Sequence, residues 1–289
     1  MILNETYKMN NGLKIPKIAL GTWLIDDSKV AEAVKEAVKI GYRHIDTAQA
    51  YENERGVGEG IRTCGIPRDE IFVTSKVAAE NKSYHAAKTS IDETLKRMGL
   101  DYVDMMIIHS PQPWVEVNRT DNRYFEENKE VWSAMQDAVK EGKVKTIGVS
   151  NFLKEDIENI LEMCEIPPAV NQVLAHISNT PFELIDYCKE KNILMEAYSP
   201  IAHGEILKNK EVIKIAEKYS VTVAQICIKY DLQLGMVVLP KTDKPSHMKS
   251  NADLDFVISD EDMEILKKIK LIDYGESEKY PIFGGLWSW

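Results

Sequence analysis

Short apolar segments rich in β-branched residues alternate with longer amphipathic segments along most of this chain. Strands that alternate with helices form parallel sheets, and eight strand–helix units are the number that closes a barrel. The eight predicted strands are Ile18–Gly21, Tyr42–Asp46, Ile71–Lys76, Val103–His109, Lys145–Ser150, Ala169–Gln172, Ile193–Tyr198 and Met236–Pro240.

Helical patterns fill the intervals, and glycines mark several of their ends. Gly41, Gly99 and Gly142 each follow a helical pattern, as expected of a C-terminal cap. An Asn-Gly turn at residues 11–12 predicts an N-terminal β-hairpin over about residues 5–17. The predicted helices are Lys29–Ile40, Glu54–Thr63, Ser83–Met98, Tyr124–Lys140, Glu155–Met163, Phe182–Lys189 and Val221–Leu234.

No Pro/Gly-rich linker divides the chain, so the sequence predicts a single α/β domain over residues 1–289. Its predicted fold is a (β/α)8 TIM barrel, with a C-terminal loop over the rim that carries the active site. An open, doubly wound parallel sheet is the competing arrangement.

Charge and composition exclude several classes of partner. The formal net charge is -10 and no lysine–arginine cluster stands out, which argues against nucleic acid. No apolar run approaches the length that spans a membrane. Cys64, Cys164, Cys188 and Cys227 form no CxxC pair, and the N-terminus has no apolar leader. We therefore expect a cytoplasmic protein with free thiols.

The predicted strands end in polar residues, although their interiors are apolar. The chemistry of α/β barrels lies at the carboxyl ends of the strands, so these residues predict a functional site. Taken singly, an aspartate there can cap a strand and a histidine can be an ordinary core residue. A lysine is harder to explain, because its burial is costly without a partner. The polar strand ends are Asp46, Lys76, His109, Ser150-Asn151, Gln172, Tyr198-Ser199 and Lys241-Thr242.

Four segments in register resemble the aldo-keto reductases. They are GYRHIDTAQAYENE at 41–54, GLDYVDMMIIHSP at 99–111, GVSNF at 148–152 and LPKT at 239–242. The matches extend from the hairpin to about residue 251. The resemblance implies a catalytic tetrad of Asp46, Tyr51, Lys76 and His109.

The chemistry of carbonyl reduction suits these four side chains. The phenol of a free tyrosine has a pKa of about 10, and a neighbouring ammonium lowers it. Lys76 is expected to supply that ammonium, with Asp46 holding it charged and aimed. His109 is expected to orient the substrate oxygen by a hydrogen bond. Tyr51 is then the predicted proton donor.

Residues 56–60, GVGEG, superficially resemble a dinucleotide fingerprint but lack its spacing and lie within a predicted helix. The family resemblance instead implies a nicotinamide cofactor across the barrel rim, with amide side chains on its carboxamide and Tyr198 stacked on its ring. The implied cofactor-binding residues are Gly21, Thr22, Asp46, Ser150, Asn151, Gln172, Tyr198, Ser199, Pro200, Ile201, Lys241, Thr242, His247 and Asn251.

The choice of cofactor depends on the adenosine end of this site. Lys241 and Thr242 favour NADPH. His247 stands where the family often has an arginine, and a histidine near neutral pH is usually uncharged. Asp243 adds a carboxylate that would repel a ribose phosphate. NADPH is the expected cofactor, and NADH remains an alternative.

The resemblance also implies a substrate pocket beside the tetrad. Ser110 stands where many relatives carry a tryptophan, so an open wall is expected there. The long loop over about residues 111–128 is expected to carry binding function. The aromatic tail, about residues 272–289, is expected to cover the pocket, a hydrophobic patch or a dimer contact. The predicted substrate-binding residues are Trp23, Tyr51, His109, Ser110, Trp114 and Trp287.

These expectations describe an oxidoreductase that reversibly reduces an aldehyde or ketone, with a small molecule as its partner and a monomer or weak homodimer as its state. A nucleotide-binding, redox-sensing regulatory subunit is one alternative. A metal-dependent barrel hydrolase is another, although His109 alone among the six histidines ends a predicted strand and no metal is expected.

Overall fold

Eight parallel strands follow one another round a sheet in chain order in the computed structural model, which describes residues 1–270 and 273–285. The N–H of Ala19 donates to the carbonyl of Val238 at 3.0 Å, and that of Gly21 to Pro240 at 3.1 Å, so the first and last strands meet. The predicted barrel is confirmed. Its strands are β3 (Leu20–Gly21), β4 (His44–Asp46), β5 (Phe72–Val77), β6 (Val103–Ile108), β7 (Val144–Ser150), β8 (Val170–Leu174), β9 (Leu194–Tyr198) and β10 (Val237–Leu239).

The strands are buried on both faces, as parallel strands covered by helices must be. Every residue of β5 and of β6 is buried. Successive side chains of a strand alternate between the barrel interior and the helix layer. At the carboxyl ends, the side chains that face inward therefore meet inside the barrel or on its rim.

The helices pack around this sheet. The Asp26 carboxylate caps α1 by accepting from Ser28 N at 2.9 Å, and Gly99 ends α3 at a φ of 63°, a conformation that favours glycine. In the described ranges, no helix is both long enough and apolar enough to cross a bilayer. The helices are α1 (Asp27–Ile40), α2 (Glu54–Thr63), α3 (Tyr84–Met98), α4 (Phe125–Lys140), α5 (Lys154–Leu161), α6 (Phe182–Glu190), α7 (Lys210–Tyr219), α8 (Val223–Gln233), α9 (Pro245–Ala252) and α10 (Asp260–Leu266).

All seven predicted helices are present, with ends that differ by a few residues. Three further helices in the described ranges, α7, α9 and α10, are not among those seven. The barrel pattern leads one to expect a single helix between consecutive strands, whereas α7 and α8 both lie between β9 and β10.

The predicted hairpin closes the amino end of the barrel. Its strands, β1 (Thr6–Lys8) and β2 (Lys14–Pro16), are antiparallel. From the turn, Asn10 Nδ2 donates to the carbonyl of Pro168 at 2.8 Å and Asn11 Nδ2 donates to Thr146 Oγ1 at 2.7 Å. The opposite end, where the strands finish, is left for the functional site.

The glycines of residues 56–60 lie inside α2 and serve packing. A Cβ on Gly58 would stand 2.1 Å from the carbonyl oxygen of Met98, at the end of α3. A Cβ on Gly56 would stand 2.3 Å from the carbonyl oxygen of Asp27, in α1. These positions admit no side chain because two neighbouring helices approach the α2 backbone directly. The rejection of a dinucleotide fingerprint is confirmed.

Candidate active site

Asp46, Tyr51 and Lys76 meet at the carboxyl end of the barrel. Lys76 Nζ lies 2.6 Å from Asp46 Oδ1, 2.8 Å from the carbonyl oxygen of Thr47 and 3.2 Å from Tyr51 Oη. The Lys76 side chain is completely buried. Its ammonium therefore has three oxygen partners and no exposure to bulk water, which meets the expectation that a buried lysine here needs a partner.

Tyr51 stands on a short 3-10 turn, Gln49–Tyr51, that follows β4. Glu52 ends the turn in the left-handed conformation, with a φ of 56°. Gln49 Oε1 accepts from Ala78 N at 2.8 Å, which ties the turn to the segment after β5. Asn53, fully buried, donates to the carbonyl of Thr22 at 2.9 Å. The loop that carries Tyr51 is thus fastened on both sides.

The pKa of Tyr51 is shifted upwards, whereas the sequence led us to expect that the Lys76 ammonium would lower it. Burial raises the pKa of Tyr51 above its ordinary value, and the nearby Lys76 ammonium opposes that rise without reversing it. Burial alone would lower the pKa of Lys76, but Asp46 and Tyr51 together hold that pKa above its ordinary value. The phenol is therefore protonated and the lysine charged at neutral pH.

His109 closes the tetrad on the far side of Tyr51. The two rings meet edge to face with centroids 5.6 Å apart. Burial, with a smaller contribution from Lys76, lowers the pKa of His109 well below its ordinary value, so the imidazole is neutral. Nδ1 is buried without a hydrogen-bond partner among the described residues. The other ring nitrogen, Nε2, is the one suited to meet a ligand as an N–H donor.

The predicted amide group lies next to the tetrad. Asn151 Nδ2 donates to the carbonyl of His109 at 3.0 Å and to Ser150 Oγ at 3.1 Å. Tyr198 Oη donates to Asn151 Oδ1 at 2.7 Å, which fixes the tyrosine ring. Gln172 Nε2 donates to Asp46 Oδ2 at 2.9 Å. Ser150 Oγ also donates to the carbonyl of Gln172 at 2.8 Å, so these contacts join the expected cofactor residues to Asp46 in one network.

Glu196 belongs to the same network and was not predicted. It is completely buried in β9, and its Oε2 accepts from Gln172 Nε2 at 2.9 Å. Its position two residues before Tyr198 puts it on the same face of the strand. That spacing, with a carboxyl group inside an apolar strand, was the signal from which the sequence could have identified it.

The loop after β9 carries several residues in a conformation that normally favours glycine. Ser199, Ala202 and His203 have φ values of 52°, 46° and 52°, and Asn151 on the neighbouring loop has 60°. Such backbone is costly for residues with a Cβ and clusters at binding sites.

A cleft of about 950 Å³ opens above this network, a volume in the range of cofactor sites. Of the residues predicted from the sequence, the structure brings fifteen to its walls. They are Gly21, Thr22, Trp23, Asp46, Tyr51, His109, Trp114, Ser150, Asn151, Gln172, Tyr198, Ser199, Pro200, Ile201 and Lys241.

The remaining predicted cofactor residues lie beyond the cleft walls. Thr242 is buried, and its Oγ1 accepts from Lys244 N at 3.1 Å. His247 is exposed on α9, and Asn251 is buried near the end of that helix. The structure thus places Lys241 at the edge of the cleft and the other three along the chain that follows it.

The substrate side differs from the expectation at Ser110. This serine is buried away from the cleft, where its Oγ accepts from Gln112 N at 3.3 Å and its carbonyl from Lys82 Nζ at 3.0 Å. The residues that line the cleft do not include Ser110, so the structure does not bring this predicted substrate residue to the wall. Trp114 lines the cleft instead, with its ring 5.1 Å from that of His109. Trp114, from the substrate loop, thus supplies a large side chain to the cleft, whereas the position directly after His109 holds a serine.

Trp23 also lines the cleft and joins it to the tail. Its ring lies 6.5 Å from that of Tyr51, 5.2 Å from that of His203 and 5.0 Å from that of Tyr280. Ile282 of the tail also lines the cleft. The described part of the tail therefore reaches the pocket mouth. Of the three roles predicted for the tail, covering the pocket requires this placement. Trp287 lies outside the described residues.

Asn118 connects the substrate loop to the tail. Its Nδ2 donates to the carbonyl oxygens of Pro281 at 2.8 Å and Gly285 at 3.2 Å.

Across residues 1–270 and 273–285, no group of three or more His, Cys, Asp or Glu side chains is placed to hold a metal ion.

Comparison with known proteins agrees with this geometry. The model of the aldo/keto reductase family matches residues 17–271. The chain therefore belongs to the aldo/keto reductase family, whose members are oxidoreductases.

Individual relatives cover nearly the whole chain. Glyoxal reductase of Bacillus subtilis is 42% identical over 264 residues, 91% of each chain. A crystal structure of an aldo/keto reductase from Brucella melitensis superposes with a TM-score of 0.84 and 37% identity, covering 91% of this chain and 98% of that one. A Bombyx mori aldo-keto reductase in complex with NADP superposes with a TM-score of 0.81 and 30% identity, covering 96% and 98%.

Proposed function

We propose that this protein reduces an aldehyde or ketone to an alcohol, with NADPH as hydride donor and Tyr51 as proton donor. The observation that carries the proposal is the buried Lys76 ammonium, in contact with both Asp46 Oδ1 and Tyr51 Oη. A buried ammonium held 3.2 Å from a phenol at the floor of a cleft stabilises the phenolate that remains after proton transfer.

Each residue of the tetrad then has a defined task. The neutral His109 imidazole donates an N–H to the substrate oxygen and orients it. Tyr51 Oη gives its proton to that oxygen as the carbonyl carbon is reduced. Lys76 balances the negative charge that develops on the phenol oxygen, and Asp46 keeps Lys76 charged throughout. In the oxidative direction the same phenolate accepts the proton from an alcohol.

The cleft suits a nicotinamide nucleotide. When bound, NADPH supplies the hydride. Asn151 and Gln172 provide amide groups for the carboxamide, and the ring of Tyr198 is held in place to stack against the nicotinamide. The strained loop at 199–203 offers backbone for the pyrophosphate, and Lys241 at the cleft edge favours the phosphate that distinguishes NADPH from NADH. The NADP complex of the Bombyx mori relative supports the same choice.

The test is a panel of aldehydes and ketones assayed with NADPH and with NADH, beside the variant Tyr51→Phe. Loss of one hydroxyl should lower kcat for reduction about 10²–10⁴-fold, the usual contribution of a general acid. The dissociation constant of NADPH should not change. Tyr280→Phe is the matched control, because its ring also lies against Trp23. Full turnover by Tyr51→Phe would remove Tyr51 as proton donor, and a clear preference for NADH would refute the choice of cofactor.

A further inference from the structure

Glu196 has no part in the chemistry described so far, although it lies in the same network. It is completely buried, and its Oε1 has no hydrogen-bond partner within the described residues. A buried carboxyl group with one oxygen lacking a hydrogen bond lowers the stability of the fold. Its presence therefore calls for an explanation in terms of function. Within the part of the chain that the structure describes, its one hydrogen bond is with Gln172.

Gln172 stands between two carboxyl groups. Its Nε2 is 2.9 Å from Glu196 Oε2 and 2.9 Å from Asp46 Oδ2. In register, Gln172 on β8 pairs with Glu196 on β9, so the backbone sets the distance between them. Asp46 uses its other oxygen, Oδ1, for Lys76.

This arrangement determines which end of the amide meets a ligand. The Asp46 carboxylate pairs with the Lys76 ammonium, and a carboxylate can only accept hydrogen bonds, so Gln172 must offer it an N–H. The second N–H goes to Glu196. With both N–H groups engaged, the carbonyl oxygen Oε1 is the atom that Gln172 keeps for the cleft. One hydrogen bond fixes a single atom, whereas two fix the plane of the amide.

We propose that Glu196 is a positioning residue for the cofactor, holding Gln172 so that Oε1 accepts a hydrogen bond from the carboxamide N–H of the nicotinamide. This inference rests on the proposed function, because it presupposes a nicotinamide over Gln172. Glu196 itself acts only through Gln172 and does not touch the reacting atoms.

The protonation of Glu196 decides which substitutions test this role. Burial raises the pKa of Glu196 to about 8, Asp46 adds to the rise, and Gln172 and Lys76 oppose it. At neutral pH the carboxyl is therefore mostly neutral. Glutamine at this position retains shape, neutrality and an acceptor oxygen, whereas methionine retains approximate volume and loses the acceptor.

The experiment measures dissociation constants by titration calorimetry at neutral pH for NADP+ and for its 3-acetylpyridine analogue. The analogue has a methyl group where the carboxamide has its N–H donors. The proteins are the wild type, Glu196→Gln and Glu196→Met, each checked for an unchanged fold by thermal unfolding. If the methionine variant is too unstable to titrate, Glu196→Leu takes its place.

We expect the wild type to bind the analogue about tenfold more weakly than NADP+, which corresponds to about 1.4 kcal/mol. Glu196→Gln should retain that ratio. In Glu196→Met the freed amide can turn its N–H towards the acetyl oxygen, so the ratio should fall to within about twofold while NADP+ itself binds several-fold more weakly. A residue that only supported the fold would weaken both ligands alike and leave the ratio unchanged.

Three results would overturn the inference alone: an undiminished ratio in Glu196→Met, a lost ratio in Glu196→Gln, or no discrimination by the wild type. Failure of the wild type to bind either nucleotide would overturn the proposed function, and the inference with it.

Discussion

The floor and the mouth of the cleft are built in different ways. The floor consists of polar side chains carried by strands or by tightly fastened turns, and Asp46, Lys76, Gln172 and Glu196 are joined there by hydrogen bonds of 2.6–2.9 Å. The mouth consists of rings carried by loops and the tail. Trp23 and Tyr280 contact each other there at 5.0 Å between centroids.

This difference separates two demands on the protein. Proton transfer needs oxygen and nitrogen atoms placed to within a fraction of an ångström, and strand register provides that. Substrate choice needs a surface that can vary, and loops vary without disturbing a barrel. Changes in the floor should therefore affect both stability and rate, whereas changes in the mouth should affect selectivity alone.

The largest effect should come from breaking the floor at Asp46. In Asp46→Asn the buried Lys76 ammonium loses its charged partner, and such a loss typically costs about 3–5 kcal/mol in the free energy of unfolding. Carbonyl reduction should also fall by about 10²-fold or more, because the Lys76 ammonium is no longer held in place beside Tyr51. Chemical denaturation and steady-state kinetics measure the two effects.

The double variant Asp46→Asn with Lys76→Met separates the two effects. Removing the unpaired charge should restore most of the stability, because an apolar side chain of similar length suits a buried position. Activity should remain low. Recovery of activity along with stability would show that the pair serves the fold and not the reaction.

A smaller effect concerns the charge of the mouth. Glu52 and Glu80 line the cleft, and the two arginines that also line it, Arg55 and Arg97, are already in ion pairs with carboxylates. A substrate carboxylate should therefore be repelled. We expect kcat/KM for methyl 4-formylbenzoate to exceed that for 4-formylbenzoate by about tenfold, or about 1.4 kcal/mol of transition-state free energy.

The ester and the acid differ mainly in charge, so the ratio isolates electrostatics. Glu80→Gln should reduce the ratio several-fold while its side-chain oxygen still accepts from Trp114 N, 3.2 Å away. High salt should reduce it too, because exposed charges are screened. A ratio that neither the variant nor salt alters would contradict an electrostatic origin.

The smallest effect should come from the hydrogen bonds between Asn118 of the substrate loop and the tail. Asn118→Gly removes both hydrogen bonds to the tail and retains a backbone φ of 63° that suits glycine. We expect KM for aromatic aldehydes to rise about two- to fivefold, in line with about 1 kcal/mol for a lost hydrogen bond, with kcat unchanged.

Asn192→Gly is the matched control for Asn118→Gly. Asn192 has a φ of 57° in the turn before β9, so the substitution repeats the chemistry without touching the tail. Equal changes in KM for the two variants would mean that the tail does not help to form the pocket.

The sequence predicted the floor better than the mouth, for a physical reason. Strand ends can be located from hydrophobic patterns, and parallel strands bring their ends together, so Asp46, Lys76 and His109 follow from local sequence. The carboxyl of Glu196 inside an apolar strand was a visible signal, but its role depends on the cross-strand neighbour Gln172, and the sequence of one strand does not name that neighbour. Register between strands is not encoded in either strand alone.

The mouth depends on contacts between segments far apart in the chain. Ser110 was assigned to the substrate wall because it follows His109, yet Trp114 occupies that wall through the path of a loop. The net effect of burial on the pKa of Tyr51 could not be predicted either, since the lysine was visible in the sequence and the depth of the phenol was not.

The glycines of α2 limit how this protein can change over generations. Tyr51 stands just before that helix, and any side chain at Gly58 would push α2 away from the end of α3. A displacement of that kind would move the phenol relative to Lys76, because Lys76 is held separately by β5. Substitutions there would be selected against through the reaction they disturb, even though the glycines never meet a substrate.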